Sequence, residues 1–366
     1  MRELRCADVF CEVIDNFGDA GVCWRLARAL AAAGLQVTLW INDPLRLKRL
    51  RPEIDEHRDQ QPLDGFTLRY WSANPLPAGD LVISAFGCRL PETTLQHMAA
   101  AQPAPVWINL EYLSAERWVE DSHRLPSPHP RLPLIQHFYF PGFTPRTGGL
   151  LKEAGLDAAR DAFGEAERRA FLSTLGVALP ENTLLLSLFC YPFAPIARLL
   201  DALREGPPVV CLVPEGVTPL APAPGEQRQL GALTLVGVPF LAPDDYDRLL
   251  WSCDLNFVRG EDSAVRAQWA AKPFVWQFYA QEEAVHFDKL DAFLALYTST
   301  PLQDSAMAAL VPFWRVWNGD ATQPLDWLAL RAALPALTTH ALRWLRERLS
   351  QPDLVTGLIE FAREIG

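Results

Sequence analysis

Length, composition and charge narrow the function of this 366-residue chain. Hydrophobic residues make up 49% and charged residues 21%, which is typical of a globular protein with room for two domains. The net charge of −11 argues against nonspecific nucleic-acid binding and against an anionic membrane surface, so we expect neither partner. The same charge would suit a basic protein partner.

Cysteine usage and the N-terminus indicate the compartment. The seven cysteines are odd in number and lack CxxC spacing, which argues against a disulfide framework or a zinc site. Acidic Asp8, Glu12 and Asp15 interrupt the segment where a secretory signal would need apolar residues. No run approaches the roughly 18 apolar residues of a membrane span. We therefore expect a soluble, cytoplasmic protein with cysteines packed in its cores.

The first half of the chain alternates predicted strands and helices. A strand at 8–14, a helix at 21–33 and a strand at 35–41 come first. Further strands are predicted at 66–71, 81–85 and 106–110, with a helix at 93–101. This alternation favours a parallel sheet covered by helices.

Residues 122–150 break the alternation and predict a long irregular segment. Two interpretations stay open: a surface connection packed on its own aromatic rings, or a loop that faces the acceptor. The segment contains Pro126, Pro128, Pro130, Pro133, Pro141 and Pro145, with His137, Phe138, Tyr139, Phe140 and Phe143.

A second alternating region begins near residue 184. Strands are predicted at 184–189, 209–213, 233–238, 255–258 and 274–276, with helices at 196–203, 245–251 and 264–271. From residue 288 the chain is mostly helical, with room for two helices in 325–349 and a last one in 354–364. Two such halves predict an α/β fold of two Rossmann-like domains facing across a cleft. We place the first domain at 1–155, joined by a returning C-terminal helix at 350–366, and the second at 156–349.

The first candidate site lies between the first predicted strand and helix. Asp15 and Asp19 stand four residues apart, and Gly18 and Gly21 permit close backbone approach. Ligands bind at such an edge of an open α/β sheet, although neither a GxGxxG nor a P-loop pattern is present. An N-cap at Asp19 and an Asx turn at Asp15 are the structural alternatives. The combination of these two carboxylates with two glycines at a strand-to-helix edge favours a functional site.

The second candidate site is the acidic turn from Arg259 to Ser263. Gly260 permits a tight turn, and Ser263 is expected to cap the next helix, whose start suits phosphate. Glu261 and Asp262 would be repelled by phosphate and suit sugar hydroxyls better. The alternative is a capped turn with a surface Arg–Glu pair.

Other side chains are predicted to join this second site. Tyr191 and Phe240 each follow a predicted strand and could stack on a base or pack on a sugar, although either could instead be a core residue. Arg266 and Gln268 are expected in the same polar cluster.

Four segments resemble the protein-arginine rhamnosyltransferases that modify bacterial elongation factor P. They are IDNFGDAGVCWRLARAL, SLFCY, VPFLAPDDYDRLLWSCDLNFV and the RGEDS-to-YAQ stretch, and the likeness extends over essentially the whole chain. The resemblance implies a GT-B fold with the donor held mostly by the C-terminal domain. It also implies dTDP-β-L-rhamnose as donor, inversion at the anomeric carbon, and an arginine of elongation factor P as acceptor. That modification supports relief of ribosomes stalled at polyproline.

The resemblance also implies roles for single residues. Asp19 matches the general base, Asp15 its companion carboxylate, and Glu261 the essential acidic residue. Matches to donor contacts are Asn16, Phe17 and Gly18 in the first domain, and Tyr191, Arg259, Gly260, Asp262 and Ser263 in the second. Pro243 stands where the family has a glutamine, so a side-chain contact to the base is lost, and backbone groups near Leu241 and Ala242 could replace it.

The implied reaction needs neither a metal nor a cofactor besides the donor. Asp244 and Asp245 could be mistaken for a metal motif, but we interpret them as the N-cap of a helix. Two alternatives stay open: a sugar-nucleotide epimerase or hydrolase on the same fold, and a noncatalytic nucleotide-sugar sensor.

Overall fold

The computed structural model of the protein describes residues 3–13, 18–71, 75–280 and 285–366. The chain divides into two compact units, residues 1–156 with 348–366 and residues 157–347. Among the described residues, no helix is both long enough and apolar enough to cross a bilayer. All seven cysteines fall within the described ranges and are free thiols, and six of them are buried.

The described ranges contain the following strands and helices. The strands are β1 (Cys6–Cys11), β2 (Gln36–Ile41), β3 (Gln60–Leu63), β4 (Phe66–Tyr70), β5 (Leu81–Ala85), β6 (Val106–Leu110), β7 (Pro126–Pro128), β8 (Ile135–Tyr139), β9 (Leu184–Leu188), β10 (Val209–Pro214), β11 (Gln227–Leu230), β12 (Leu233–Val238), β13 (Leu255–Arg259) and β14 (Phe274–Gln277). The helices are α1 (Gly18–Ala32), α2 (Pro44–Leu50), α3 (Glu92–Ala100), α4 (Trp118–Ser122), α5 (Leu156–Ala162), α6 (Glu165–Thr174), α7 (Ile196–Glu205), α8 (Pro243–Ser252), α9 (Asp262–Trp269), α10 (His286–Ser299), α11 (Asp304–Trp317), α12 (Trp327–Leu349) and α13 (Leu354–Ile365).

The first unit is built on an eight-stranded sheet in the order β3-β4-β2-β1-β5-β6-β8-β7. The six inner strands are parallel, and each outer strand closes an antiparallel hairpin. Apolar residues alternate between the two faces of β1, because successive side chains of a strand point to opposite sides. Val9 and Cys11 pack with α1 and α13, whereas Phe10 packs with α3 on the other face.

The segment 122–150 contains two strands that the sequence did not predict. Residues Ile135–Tyr139 pair with β6 in parallel register, Trp107 opposite Gln136 and Leu110 opposite Tyr139. The expectation of an irregular segment was therefore wrong at these five residues, which contain no proline, and also at the three residues of β7, Pro126–Pro128. Pro126 and Pro128 lie in the edge strand β7, where a missing N–H group is tolerated.

The second unit contains a six-stranded sheet in the order β11-β12-β10-β9-β13-β14. Five strands are parallel, and β11 closes an antiparallel edge hairpin with β12. Leu212 and Val236 pack with Phe171 of α6 and Leu249 of α8 to form one core cluster. Two units with mainly parallel, helix-covered sheets confirm the predicted α/β fold class.

Helix α12 differs from the two helices expected between residues 325 and 349. It is one helix of 23 residues with Pro335 inside. A proline interrupts one backbone hydrogen bond, but the buried stripe continues on both sides of it through Leu330, Leu337 and Trp344. Burial of this continuous apolar face outweighs the lost hydrogen bond.

Candidate functional site

The first candidate site lies at the carboxyl edge of the first sheet, where the strand order changes direction. Strand β1 lies between β2 and β5, and the helices that follow β1 and β5 pack on opposite faces. Such a switch point opens a crevice beyond the strand ends, which is where α/β sheets bind ligands. Asp19 stands in the first turn of α1 and is only 4% exposed. The positive end of the helix dipole favours a carboxylate at this position.

The remaining predicted residues of this loop are only partly described. Gly18 is the first residue of α1 and is exposed. Asp15, Asn16 and Phe17 lie outside the described residues, so their roles stay predictions.

The same edge carries polar and aromatic residues that the sequence reasoning missed. The Nδ2 group of Asn109, near the end of β6, donates to Glu111 Oε1 at 2.6 Å. The rings of Phe86, directly after β5, and Tyr112 stack with centroids 4.6 Å apart. Burial raises the pKa of Glu111, and the hydrogen bond from Asn109 opposes that rise. The signal in the sequence was the polar residue Asn109 within an otherwise apolar strand, with Glu111 and Tyr112 directly after the end of that strand.

The second candidate site lies at the carboxyl edge of the second sheet, again at a switch point. Strand β9 is followed in sequence by β10 on one side, and the later strand β13 pairs with its other side. The segments after β9 and β13 therefore meet at the crevice, and they contain Tyr191 and the Arg259–Ser263 turn.

Arg259 joins these two segments. Its Nη1 donates to the carbonyl oxygen of Cys190 at 2.8 Å. Its guanidinium lies over the rings of Phe189 and Tyr191, 4.3 Å and 4.9 Å from their centroids. A neutral carbonyl and two ring faces thus hold a positive charge at the carboxyl edge.

The turn after Arg259 has the conformation predicted from Gly260. That residue has a φ of 62°, and Trp276 Nε1 donates to its carbonyl oxygen at 2.7 Å. The expectation that Ser263 caps the helix was wrong, because α9 begins at Asp262 with Glu261 as a half-buried N-cap that makes no side-chain capping bond. Ser263 Oγ instead accepts from the Arg259 N–H group at 3.1 Å and donates to the Arg259 carbonyl. The serine therefore closes the turn and does not cap the helix.

Two residues expected in the polar cluster belong to the interior. Arg266 is 2% exposed and forms a bidentate pair with Asp247, at 2.7 Å and 2.6 Å. Gln268 is also 2% exposed and accepts a hydrogen bond from Trp344 Nε1 at 2.9 Å. Their placement in the candidate site was wrong, since α9 turns this face toward neighbouring helices.

Tyr191 is surrounded by aromatic residues. It stacks on Phe193 at 5.6 Å and meets Tyr279 edge-on at 5.6 Å. Its backbone N–H donates to Oε1 of the buried Gln277 at 2.7 Å. Sequence reasoning missed these three neighbours. The positions of two could have indicated them, since Tyr279 lies two residues after β14 and Phe193 two residues after Tyr191. Phe240 follows β12 at the same carboxyl edge and is half-buried.

The start of α8 differs from the expected carboxylate cap. Ala242 is the N-cap, Pro243 is the first helical residue, and the aspartates at 244 and 245 lie in the first turn. Within the described ranges, no three His, Cys, Asp or Glu residues are grouped closely enough to hold a metal ion.

Comparison with known proteins assigns this chain to a family. A family model described as the elongation factor P rhamnosyltransferase EarP matches residues 7–363. The protein-arginine rhamnosyltransferase of Pseudomonas putida is 48% identical, with 97% of this chain and 98% of that protein covered. The enzyme of the same name from Pseudomonas aeruginosa is 43% identical with the same coverage.

Solved structures agree with the sequence comparison. A structure of an EarP protein, described as the basis for arginine glycosylation of elongation factor EF-P, matches with a TM-score of 0.69. It is 36% identical, and 99% of each chain is covered. The forosaminyltransferase SpnP, at 14% identity and a TM-score of 0.52 over 99% of each chain, shares the fold alone. The chain therefore belongs to the EarP family of elongation factor P rhamnosyltransferases.

Proposed function

We propose that this chain transfers L-rhamnose from dTDP-β-L-rhamnose to an arginine side chain of elongation factor P, with inversion at the anomeric carbon. The observation that carries the proposal is the buried Asp19 carboxylate, at the carboxyl-edge crevice of the first sheet in a chain of the EarP family. The acceptor is a translation factor, so we place the reaction in the cytoplasm.

The acceptor chemistry explains why carboxylates are needed. A guanidinium has a pKa above about 12 and a delocalised lone pair, so it is a poor nucleophile. Asp19 and Asp15 would bind it through charge-assisted hydrogen bonds and direct one nitrogen toward the sugar. One carboxylate, which we assign to Asp19, takes the proton as the new bond forms.

The donor chemistry uses the second unit. We assign the diphosphate to Arg259 and the first turn of α9, where a positive charge and helical N–H groups stabilise the charge that develops on the leaving group. Glu261 and Asp262 would bind sugar hydroxyls, and Tyr191 and Phe240 would contact the nucleoside or the sugar. Base recognition near Pro243 would use backbone groups.

One displacement completes the reaction. A guanidinium nitrogen bonds to the anomeric carbon while the bond from that carbon to the dTDP oxygen breaks, and dTDP leaves with the electron pair. The proton passes from the guanidinium to the carboxylate. A single displacement inverts the anomeric centre, and the step needs no metal and no cofactor besides the donor. We find no support in the matched family for an epimerase, a hydrolase or a noncatalytic sensor.

Mass spectrometry of the acceptor tests the proposal. Purified protein incubated with dTDP-β-L-rhamnose and elongation factor P should add the mass of one rhamnosyl group to one arginine. Asp19→Asn should lower the rate of transfer at least about 100-fold, because the proton acceptor is lost. Calorimetry should show that its affinity for the donor stays within about twofold of wild type. The matched control is Asp59→Asn at an exposed position, which should transfer normally. Near-normal transfer by Asp19→Asn would remove Asp19 from the reaction.

A further inference from the structure

The carboxyl edge of β6 carries a carboxylate that the proposed transfer does not use. Glu111 follows β6 directly, and its Oε1 accepts from Asn109 Nδ2 at 2.6 Å. Residues two apart along a strand direct their side chains to the same face. The amide therefore holds the Glu111 carboxylate in place beside the crevice of the first sheet.

This pair has more hydrogen-bond acceptors than donors. Asn109 is only 6% exposed, and within the described chain its Oδ1 has no hydrogen-bond partner. A buried carbonyl oxygen without a donor is unfavourable. Burial also raises the pKa of Glu111, because it removes water that would solvate the charged carboxylate. A bound group with several N–H donors and a positive charge would relieve both deficits.

Aromatic rings at the same edge of the sheet favour a cation. Phe86 and Tyr112 stack with an interplanar angle of 16°, and Tyr112 is 39% exposed. The N–H group of Phe86 donates to the Leu110 carbonyl at 2.7 Å, which anchors the stack between β5 and β6. Ring faces attract guanidinium and ammonium groups.

We propose that Glu111, Asn109 and the Phe86–Tyr112 stack bind a second basic side chain of the protein acceptor, distinct from the arginine that receives the sugar. This inference rests on the proposed function, in which Asp19 binds that arginine. Strands β1 and β6 are separated only by β5, so their ends are about 10 Å apart at a spacing of about 4.8 Å per strand. Two side chains of one acceptor surface can span such a distance, and the chain's net charge of −11 favours a basic partner.

Binding measurements on the full-length chain test the proposal. Calorimetry with elongation factor P should give a Kd raised about tenfold by Glu111→Gln and a few-fold by Tyr112→Leu. The matched control is Glu3→Gln, which removes one charge from an exposed side chain before β1, at the opposite edge, and should change Kd less than about twofold. The Kd for dTDP-β-L-rhamnose should stay unchanged in all three variants.

A scan of the acceptor identifies the bound side chain. Each lysine and arginine of elongation factor P is changed in turn to alanine, and binding is measured to wild-type enzyme and to Glu111→Gln. One substitution, away from the modified arginine, should weaken binding to wild type but have little further effect on Glu111→Gln.

Three outcomes would overturn the inference. Equal Kd values for Glu111→Gln and Glu3→Gln would show that Glu111 does not contact the acceptor. Equal effects of every acceptor substitution on both enzymes would show that no particular side chain is bound there. Coupling to the modified arginine alone would place the acceptor arginine itself at Glu111. If the wild-type chain transfers no rhamnose at all, the proposed function fails first.

Discussion

Replacing Gly260 by alanine tests the geometry of the Arg259–Ser263 turn without changing any of its charges. Gly260 has a φ of 62°, and an added Cβ atom would stand 3.1 Å from the Tyr191 hydroxyl. A left-handed backbone costs alanine about 1–2 kcal/mol, and the lower entropy of the unfolded chain returns about 0.4–1 kcal/mol. We therefore expect a loss of about 1 kcal/mol in the free energy of unfolding, equivalent to about 2–4 °C in Tm.

The same methyl group should weaken donor binding through Tyr191. The Tyr191 backbone is held by Gln277 at 2.7 Å, so the ring and its hydroxyl must give way. A displacement of a few tenths of an ångström at a stacking surface should raise the Kd for dTDP-β-L-rhamnose about fivefold, which corresponds to about 1 kcal/mol.

Gly176→Ala is the matched control for this experiment. Gly176 has a φ of 72°, and an added Cβ atom would meet nothing within 4 Å. It should therefore show the same loss of Tm with unchanged donor affinity. Calorimetric Kd values that are equal for Gly260→Ala and Gly176→Ala would refute the contact between the turn and the donor surface.

Three further predictions concern stability and the donor surface. Asp247→Asn should lower the free energy of unfolding by about 3–5 kcal/mol in a urea titration, because it weakens a buried pair with Arg266; a loss below about 1 kcal/mol would contradict this. Burial lowers the pKa of His123 to about 4, and its Nδ1 accepts from the Phe140 N–H group. The contribution of neutral His123 to the free energy of unfolding is complete above its unfolded pKa of about 6.5. It is lost as the pH falls toward 4, by at most about 3 kcal/mol. His123→Asn should therefore flatten this part of the pH profile measured by urea unfolding. Tyr191→Leu should raise the calorimetric Kd for the donor about tenfold without changing the affinity for elongation factor P, and an unchanged donor Kd would remove the ring from the site.

Local signals in the sequence determined much of the fold. Apolar runs of five or six residues separated by helical periodicity predicted the central strands and the helices after them, and the matched family and structure agree with the GT-B-type α/β class. These signals are local because each strand or helix must bury its own apolar face. Residues such as Pro126 and Pro128, by contrast, led the prediction to treat a whole segment as irregular, and the paired strand β8 inside it was missed.

The same distinction between local signals and long-range contacts applies to the motif residues. The turn at Gly260 was predictable from one residue, since only glycine adopts a positive φ without strain. The inward orientation of Arg266 and Gln268 was not, because their partners Asp247 and Trp344 are 19 and 76 residues away in sequence.

The sequence by itself determined that two Rossmann-like halves exist, and its motifs pointed to Asp19 and to the Arg259–Ser263 turn. Only the tertiary structure decided which strands are neighbours, and with them which edge residues meet. That is why the Phe86–Tyr112 stack, at the same edge as Glu111, forms only once β5 and β6 pair. Strand pairing is a non-local choice made by packing and backbone hydrogen bonds, so no short stretch of sequence encodes it.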